Sequence, residues 1–545
     1  MLIYDPKLPV ICVPTEIDQL LTELDGKIEE MGVGEVGPFS AFWINYDMTT
    51  TIGYNSPSSV MWADVAGLLT PHCLPDPAWC DVDSSMPDGR IYELDDGTIV
   101  ANDDREERIN PRKISHISSE ILRSRFSIFS NVDNDIAELM DNYIGVVADL
   151  LQPTRHSQNP YKSIYFPQAI ASSSGITVGV SSSMSSSRSA LFHALLSVSA
   201  FHLYRQKTDN REKYEKLGRL HRAKAIKSLQ KALTSGYVAK DKCTTMSAML
   251  SMASIDLMEG GMTEFWIHIE GCEQLRSSMM MSNTWSPEHE QLMVNCSFMG
   301  ILAQSTDPHI TPKPWTESDA TTIDTLLKSS PFPPGANSLE FTYGTTSKVA
   351  SYLYLTILLS QHLAFCHLHG LPAPITLQQA CSSLEEAITT WSIAQEPLVS
   401  VPKTDYETLS LVTCHVLAFH ASVAVYFHTL IRPCSPSLLR SYNKTCISNL
   451  LAAEALKCSH SARKGWNSMA PIVWPGFIAA CEAGPEQRPL WRVWWIGVQR
   501  YNIGSIGVLW GVVQEVWEMR DEGEREVPGW RAVLKRNGRR VMSGG

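Results

Sequence analysis

Several short stretches carry residue types and spacings able to do chemistry. Asp103, Asp104 and Glu107 in DDREE have the bare spacing of an aspartate-rich site that holds magnesium against a diphosphate. His362, Cys366 and His369 in HLAFCHLHG are metal-ligand types close together, and Cys414 with His420 in CHVLAFH repeats the theme. His268 and Glu270 in FWIHIEG pair an imidazole with a carboxylate near a helix start. Cys73 and Cys80 have six residues between them, one internal spacing of a six-cysteine zinc cluster.

Each chemistry needs a context, and the context fails. DDREE lies in a polar, turn-like stretch before INPRK, and no second asparagine-serine-glutamate motif follows, so a helical terpene-cyclase reading lacks its other half. A metal site needs three or four convergent ligands. His362 and Cys366 share one helical face, and core packing near a helix end accounts for them and for Cys414 and His420. Between Cys73 and Cys80 run LPDPAW, an acid and two prolines where a DNA-binding cluster carries bases. No Walker loop, dinucleotide fingerprint or G-x-S-x-G elbow occurs. No catalytic, cofactor-binding or metal-binding residue is assigned, and the chain is expected not to be an enzyme. His268 is expected to make a structural hydrogen bond, orienting Glu270 or capping a backbone group. Contact with an effector is the alternative.

The elements that would position these residues are helical. The 545 residues are 44% hydrophobic and 19% charged, enough for a sizeable core, with a formal charge of -12. So acidic a chain has no broad footprint for nucleic acid and is expected to bind duplex DNA weakly and without sequence preference. Thirteen cysteines, an odd number with no Cys-x-x-Cys, point to buried thiols in a reducing compartment. The opening MLIYDPKLPV is not a signal peptide. Two long uncharged runs, Val349 to Ser383 and Thr408 to Ile431, are broken by HLHGLPAP or carry His415, His420 and His428, so they read as buried helices and no membrane is expected.

Residues 1–116 read as an irregular N-terminal region with one short amphipathic helix, TEIDQLLTELDGKIEEM from Thr15 to Met31. Its stripe Ile17, Leu21, Leu24, Ile28 and Met31 suits a dimerising coil or a helix packed on its own domain. From Cys80 to Glu107 acidic and apolar residues alternate, as in a solvated loop or an activation segment. From about Ile117 the period is 3.6-like to the end, giving a helical domain over 117–545. A serine-glycine segment, Ala171 to Ser189, reads as a flexible loop inside it. Three helices then stand in order: a basic amphipathic one from REKYEKL to ALTSGY, a nearly uncharged one from Lys240 to Gly261, and one opened by the turn at Gly260 with Trp266 and His268 near its start.

These helices in this order resemble the regulatory domain of fungal zinc-cluster transcription factors, of the arginine-metabolism-regulator type. NPYKSIYFPQAI, ALFHALLSVSAFHL, MAPIVWPGFIAACEA and the closing stretch with Trp510, Trp517 and Trp530 are similar to the family's segments, from about Asn134 to the end. The resemblance implies an all-α fold, a large multi-helical regulatory domain after an irregular N-terminal segment. It implies a nuclear regulator of a metabolic or secondary-metabolite gene set, with other transcription proteins as partners, and it leaves room for a homodimer and a small-molecule effector. An interaction protein that never binds DNA is the competing reading. The family carries an N-terminal six-cysteine cluster with two zinc ions, and no such cluster stands in this chain. Zinc and DNA contact are therefore expected only through a module upstream of Met1, lost, or supplied by a partner. The helix at Thr15 to Met31 stands where the family's linker follows the cluster, which favours truncation. VLKRNGRR serves equally as a nuclear signal or as a basic helix end.

The structural signature of the resemblance is Gly260, Trp266, His268, Trp474, Pro475 and Trp517. Trp474 and Phe477 are anchors, Pro475 fits a first helical turn, and Trp517 closes an apolar face with Leu509, Val512, Val513 and Val516. Trp266 is expected to be buried between helices, so that Trp266→Ala costs about 3 to 5 kcal/mol.

Overall fold

Helix ends in this chain are written in short polar signals. Ser286 caps a helix that begins at Pro287, its hydroxyl accepting from the amide of His289 at 3.4 Å. Thr316 and Asp319 cap reciprocally, each side chain taking the other's backbone N–H. Thr346 and Asp405 do the same one way, accepting from Val349 and Thr408. Between such signals the apolar runs have no choice but to wind and pack.

A computed structural model describes residues 134–170, 185–206, 209–234, 241–262, 264–279, 286–329, 332, 338–464, 469–524 and 528–542, the side chains of 460–464 excepted. The amphipathic stretch Thr15 to Met31, the acidic stretch Cys80 to Glu107 with DDREE, the Cys73 and Cys80 pair and the start of helicity near Ile117 lie outside these residues. Among the described residues there is no strand.

The first group of helices is α1 (Asn134–Asn142), which runs into a π-helical turn, Tyr143–Val147, then α2 (Phe166–Ile170), α3 (Ser186–Gln206), α4 (Arg211–Thr234), α5 (Lys242–Glu259), α6 (Phe265–Met279) and α7 (Pro287–Ser305). The second comprises α8 (Glu317–Lys328), α9 (Ser338–Thr342), α10 (Ser347–Leu368), α11 (Ile375–Thr390), α12 (Tyr406–Leu430), α13 (Pro436–Lys464), α14 (Val473–Cys481), α15 (Arg488–Val498), α16 (Gly504–Asp521) and α17 (Gly529–Arg536). The described residues from Leu139 onward belong to one compact unit.

Helix α3 packs on α4 and α5. Its small residues allow close approach: Ser197 donates to the Gly218 carbonyl at 2.8 Å, and a Cβ on Gly218 would meet the Phe201 ring at 2.9 Å. The serine-rich segment ends earlier than its composition suggests. Residues 171–184 lie outside the described set, but Ser186–Ser189 already form the first turn of α3. Ser187 and Ser189 hydrogen-bond Thr245 and Ser228 of neighbouring helices, which fixes them in place of a loop.

Helices α10 and α12 are long and apolar enough to cross a membrane, yet 67% of the apolar window of each is buried inside the protein. They are core helices. Helix α12 packs on α13, α14 and α10, with His415 at 1% exposure among its buried residues.

Candidate functional site

The turn after α5 brings the two ends of the domain together. Gly260 sits at φ +84° and its N–H donates to the Asp256 carbonyl at 2.8 Å, ending the helix in the left-handed conformation that glycine adopts without strain. A Cβ on Gly260 would lie 2.9 Å from the Gly504 carbonyl, and one on Gly504 would lie 2.6 Å from the Gly260 nitrogen. The C-terminus of α5 thus meets the N-terminus of α16 backbone to backbone, ends of opposite dipole sign. Arg205 of α3 reaches in, donating to the carbonyls of Met258, at 2.9 Å, and Glu259. Those carbonyls would otherwise be orphans of the helix end.

Beside this junction one guanidinium gathers three carboxylates. Arg222 of α4 lies 2.7 Å from Asp256 and 3.0 Å from Glu264, and pairs with Glu259 as well. Asp256 is fully buried and also accepts from the Glu264 amide at 3.0 Å. Burial pushes the Asp256 carboxyl up, and Arg222 pulls it back. Glu259 behaves likewise. Burial acts to lower Arg222, but its carboxylate neighbours outweigh it and hold the guanidinium above its ordinary value. With Asp256 fully buried at its centre, this cluster ties α4 to α5 and to the turn that leads into α6.

At His268 one ring nitrogen is left without a partner. Burial pushes the imidazole down to about 4, with Glu264 opposing and Arg222 adding to the shift, and its buried Nε2 has no partner. The expected structural hydrogen bond through that nitrogen is not made. Glu270 cannot supply it, because residues two apart on a helix point to different sides.

Trp266 departs from expectation. The buried stripe of α6 is Phe265, Ile269, Cys272 and Leu275, and Trp266 stands one step off it at 37% exposure. It is not buried between helices. Its indole instead carries the guanidinium of Arg540, 4.3 Å from the ring centroid, and Arg540 reaches Asp307 at 3.8 Å. Val541 and Met542 beyond it are each 1% exposed, and the Val541 carbonyl accepts from the Thr306 hydroxyl at 2.8 Å. Between Trp266, the face of α7 and this C-terminal strap lies a cavity of about 220 Å³. Phe265 and Ile269 contribute apolar wall, and Glu270, Glu273, Gln304 and Asp307 bring polar groups. Arg540 and Asp307 were invisible to sequence reading because nothing local links either to Trp266.

The remaining signature residues are core. Trp474 is fully buried, stacks on Phe419 with centroids 4.9 Å apart, and donates through Nε1 to the Ser305 hydroxyl at 2.8 Å. Pro475 lies in the first turn of α14, and its carbonyl accepts from Ser422 at 3.1 Å. Trp517 donates to the Ala480 carbonyl at 2.8 Å and packs edge-on to Trp510. The metal-ligand types do not converge. His362 is buried with Nδ1 3.1 Å from the Lys313 and Pro314 carbonyls, whereas His369 is exposed. His420 sits 2.9 Å from the Ile388 carbonyl and stacks on Trp391. No group of three metal-ligating side chains occurs among the described residues.

Comparison with known proteins agrees with this architecture. The description "fungal specific transcription factor domain" matches residues 138–544, nearly all of the described helical part. The Arginine metabolism regulation protein II of Saccharomyces cerevisiae (strain ATCC 204508 / S288c) is 25% identical over 494 aligned residues, covering 73% of this chain and 54% of that protein. The chain thus spans about half the length of that curated relative. No solved structure matches. By description the family is a transcription factor domain and the relative a metabolism regulation protein, and neither is described as an enzyme. This chain, matched over about three quarters of its length, belongs to the fungal specific transcription factor domain family.

Proposed function

We propose that this chain regulates transcription in a fungal nucleus, controlling a metabolic or secondary-metabolite gene set through its helical domain. The observation that carries the reading is the coincidence of the family match, 138–544, with the compact helical unit. The relative's printed role in arginine metabolism regulation supports a metabolic target set. With a formal charge of -12, the chain reaches specific DNA through a zinc-cluster module outside this sequence or through a partner protein. Homodimerisation and a small-molecule effector belong to the same reading. The cavity beside Trp266 is the place for such an effector. The Arg222 cluster and the Gly260–Gly504 contact lie on neighbouring elements able to pass a change on to α16. Gly260, Trp266, His268, Trp474, Pro475 and Trp517 serve structure in this account, with Trp266 also walling the cavity.

The test is deletion of the gene in the parent fungus followed by transcript sequencing. Coordinated change in one metabolic gene set is the expected result. An unaltered transcript profile under every nutrient condition tried would overturn the reading.

A further inference from the structure

The charged groups lining the cavity beside Trp266 are mainly acidic. The lining brings three carboxylates, Glu270, Glu273 and Asp307, against one guanidinium, Arg540. Two of the three are engaged: Asp307 with Arg540 at 3.8 Å, and Glu273 with Arg276 at 2.7 Å. Glu270 is exposed and has no ion-pair or hydrogen-bond partner among the described residues. It stands four residues after Trp266, so carboxylate and indole are neighbours on one helix face. The chain already places one cation here, since Arg540 lies over that indole.

The rest of the lining is uncharged: Gln304 and Thr306 are polar, and the other side chains are apolar. Phe265 and Ile269 from α6 and Ala303 from α7 form a wall suited to a small hydrocarbon body, and Gly300 adds none of its own bulk. A buried apolar cavity of about 150 Å³ takes up benzene, so about 220 Å³ has room for a single ring with a short chain.

We propose that this cavity binds a small primary amine borne on an apolar body, its ammonium held by Glu270 and its body against Phe265, Ile269 and Ala303. The negative lining disfavours carboxylates. A free amino acid would set its own carboxylate among Glu270, Glu273 and Asp307, with Arg540 already engaged. The inference rests on the reading of this cavity as the effector site, but it concerns binding alone and is measured without any gene.

The experiment is isothermal titration of the full chain with phenethylamine, 3-phenylpropionate and phenethyl alcohol, which share a ring and differ in charge. Phenethylamine is expected to bind at one site, at least tenfold tighter than either of the others. E270Q, altering an exposed group, should weaken the amine at least fivefold while leaving the melting midpoint unchanged. Equal binding of amine and carboxylate, no binding of the amine, or an unaltered affinity in E270Q would each overturn the proposal. Loss of binding in E270Q together with a lowered midpoint would be resolved by Glu270→Asp, which keeps the carboxylate and should still bind the amine more tightly than the alcohol. If Glu270→Asp binds the amine no better than the alcohol while its midpoint holds, Glu270 is not its partner and the proposal fails. Failure here, with transcripts still altered by gene deletion, would remove the ligand class and leave the regulator reading standing.

Discussion

Gly260 and Gly504 touch backbone to backbone, so that a Cβ on Gly504 would sit 2.6 Å from the Gly260 nitrogen. Two helix ends far apart in the chain are held by the absence of two side chains. Gly504→Ala should therefore force the helices apart and cost about 1 to 3 kcal/mol. Gly507, three residues on in the same helix, has open space around it. Gly507→Ala should be neutral or stabilise by up to about 1 kcal/mol through helix propensity. Urea unfolding of both variants separates the close contact from a general dislike of alanine in α16.

Arg222 should be the most sensitive charged residue in the first group of helices. Its removal leaves Asp256, fully buried, without its cation. Arg222→Met is expected to cost about 3 to 5 kcal/mol, the usual result of breaking a buried pair from one side. Arg222→Lys should restore only part, because one ammonium cannot reproduce a planar fork shared by three carboxylates. A loss below about 1 kcal/mol in Arg222→Met would show that the cluster does not hold the helices.

Two tryptophans of the same signature should part company. Trp474 is fully buried and hydrogen-bonded to Ser305, so Trp474→Ala should cost about 3 to 5 kcal/mol. Trp266 is 37% exposed, and Trp266→Ala should cost about 1 kcal/mol, well under what its sequence context suggests. Thermal melts read the difference, and equal losses would contradict the placement of Trp266 at a cavity wall.

What could be read from the sequence follows from distance along the chain. The turn at Gly260 and the core role of Trp474 are set by neighbours within a few residues, and the all-helical class was legible in the 3.6-residue period and the family resemblance. The error at Trp266 was one of phase. Phe265, Ile269 and Cys272 form the buried stripe, and a larger residue beside a stripe draws attention from it. One signal was present and unused: Asp256 is the one acid inside the otherwise uncharged run from Cys243 to Met258, and a lone charge there marks a buried partner. Which partner, Arg222, needed the fold. So did Arg540, which reaches Trp266 from the far end of the domain, and Asp307, which pairs with it.

Acid should destabilise the domain before its carboxylates titrate. Burial pushes His202, His221, His268 and His420 down to about 4 and His193 to about 3. Unfolded histidines titrate near about 6.5. Between those values the unfolded chain binds protons that the folded chain refuses, so stability falls as the pH drops from about 6.5 toward 4 and is regained on raising it. Burial raises Asp256, Glu259 and Glu340 and acts in the opposite sense, but in the carboxylate range. Melting midpoints between pH 7 and about 5 should therefore decline steadily, and less steeply in His268→Gln. A flat profile would mean these imidazoles meet water.

The central claim is that this chain acts on transcription through its helical domain. The most direct measurement tethers the full chain to a heterologous DNA-binding domain and reads a reporter carrying that domain's sites in a fungal host. The account predicts at least a severalfold change in reporter output, up or down, relative to the DNA-binding domain alone, and loss of that change in Arg222→Met, which unlocks the helices. A stably expressed fusion that leaves the reporter unchanged, with nutrient supply varied, would contradict it.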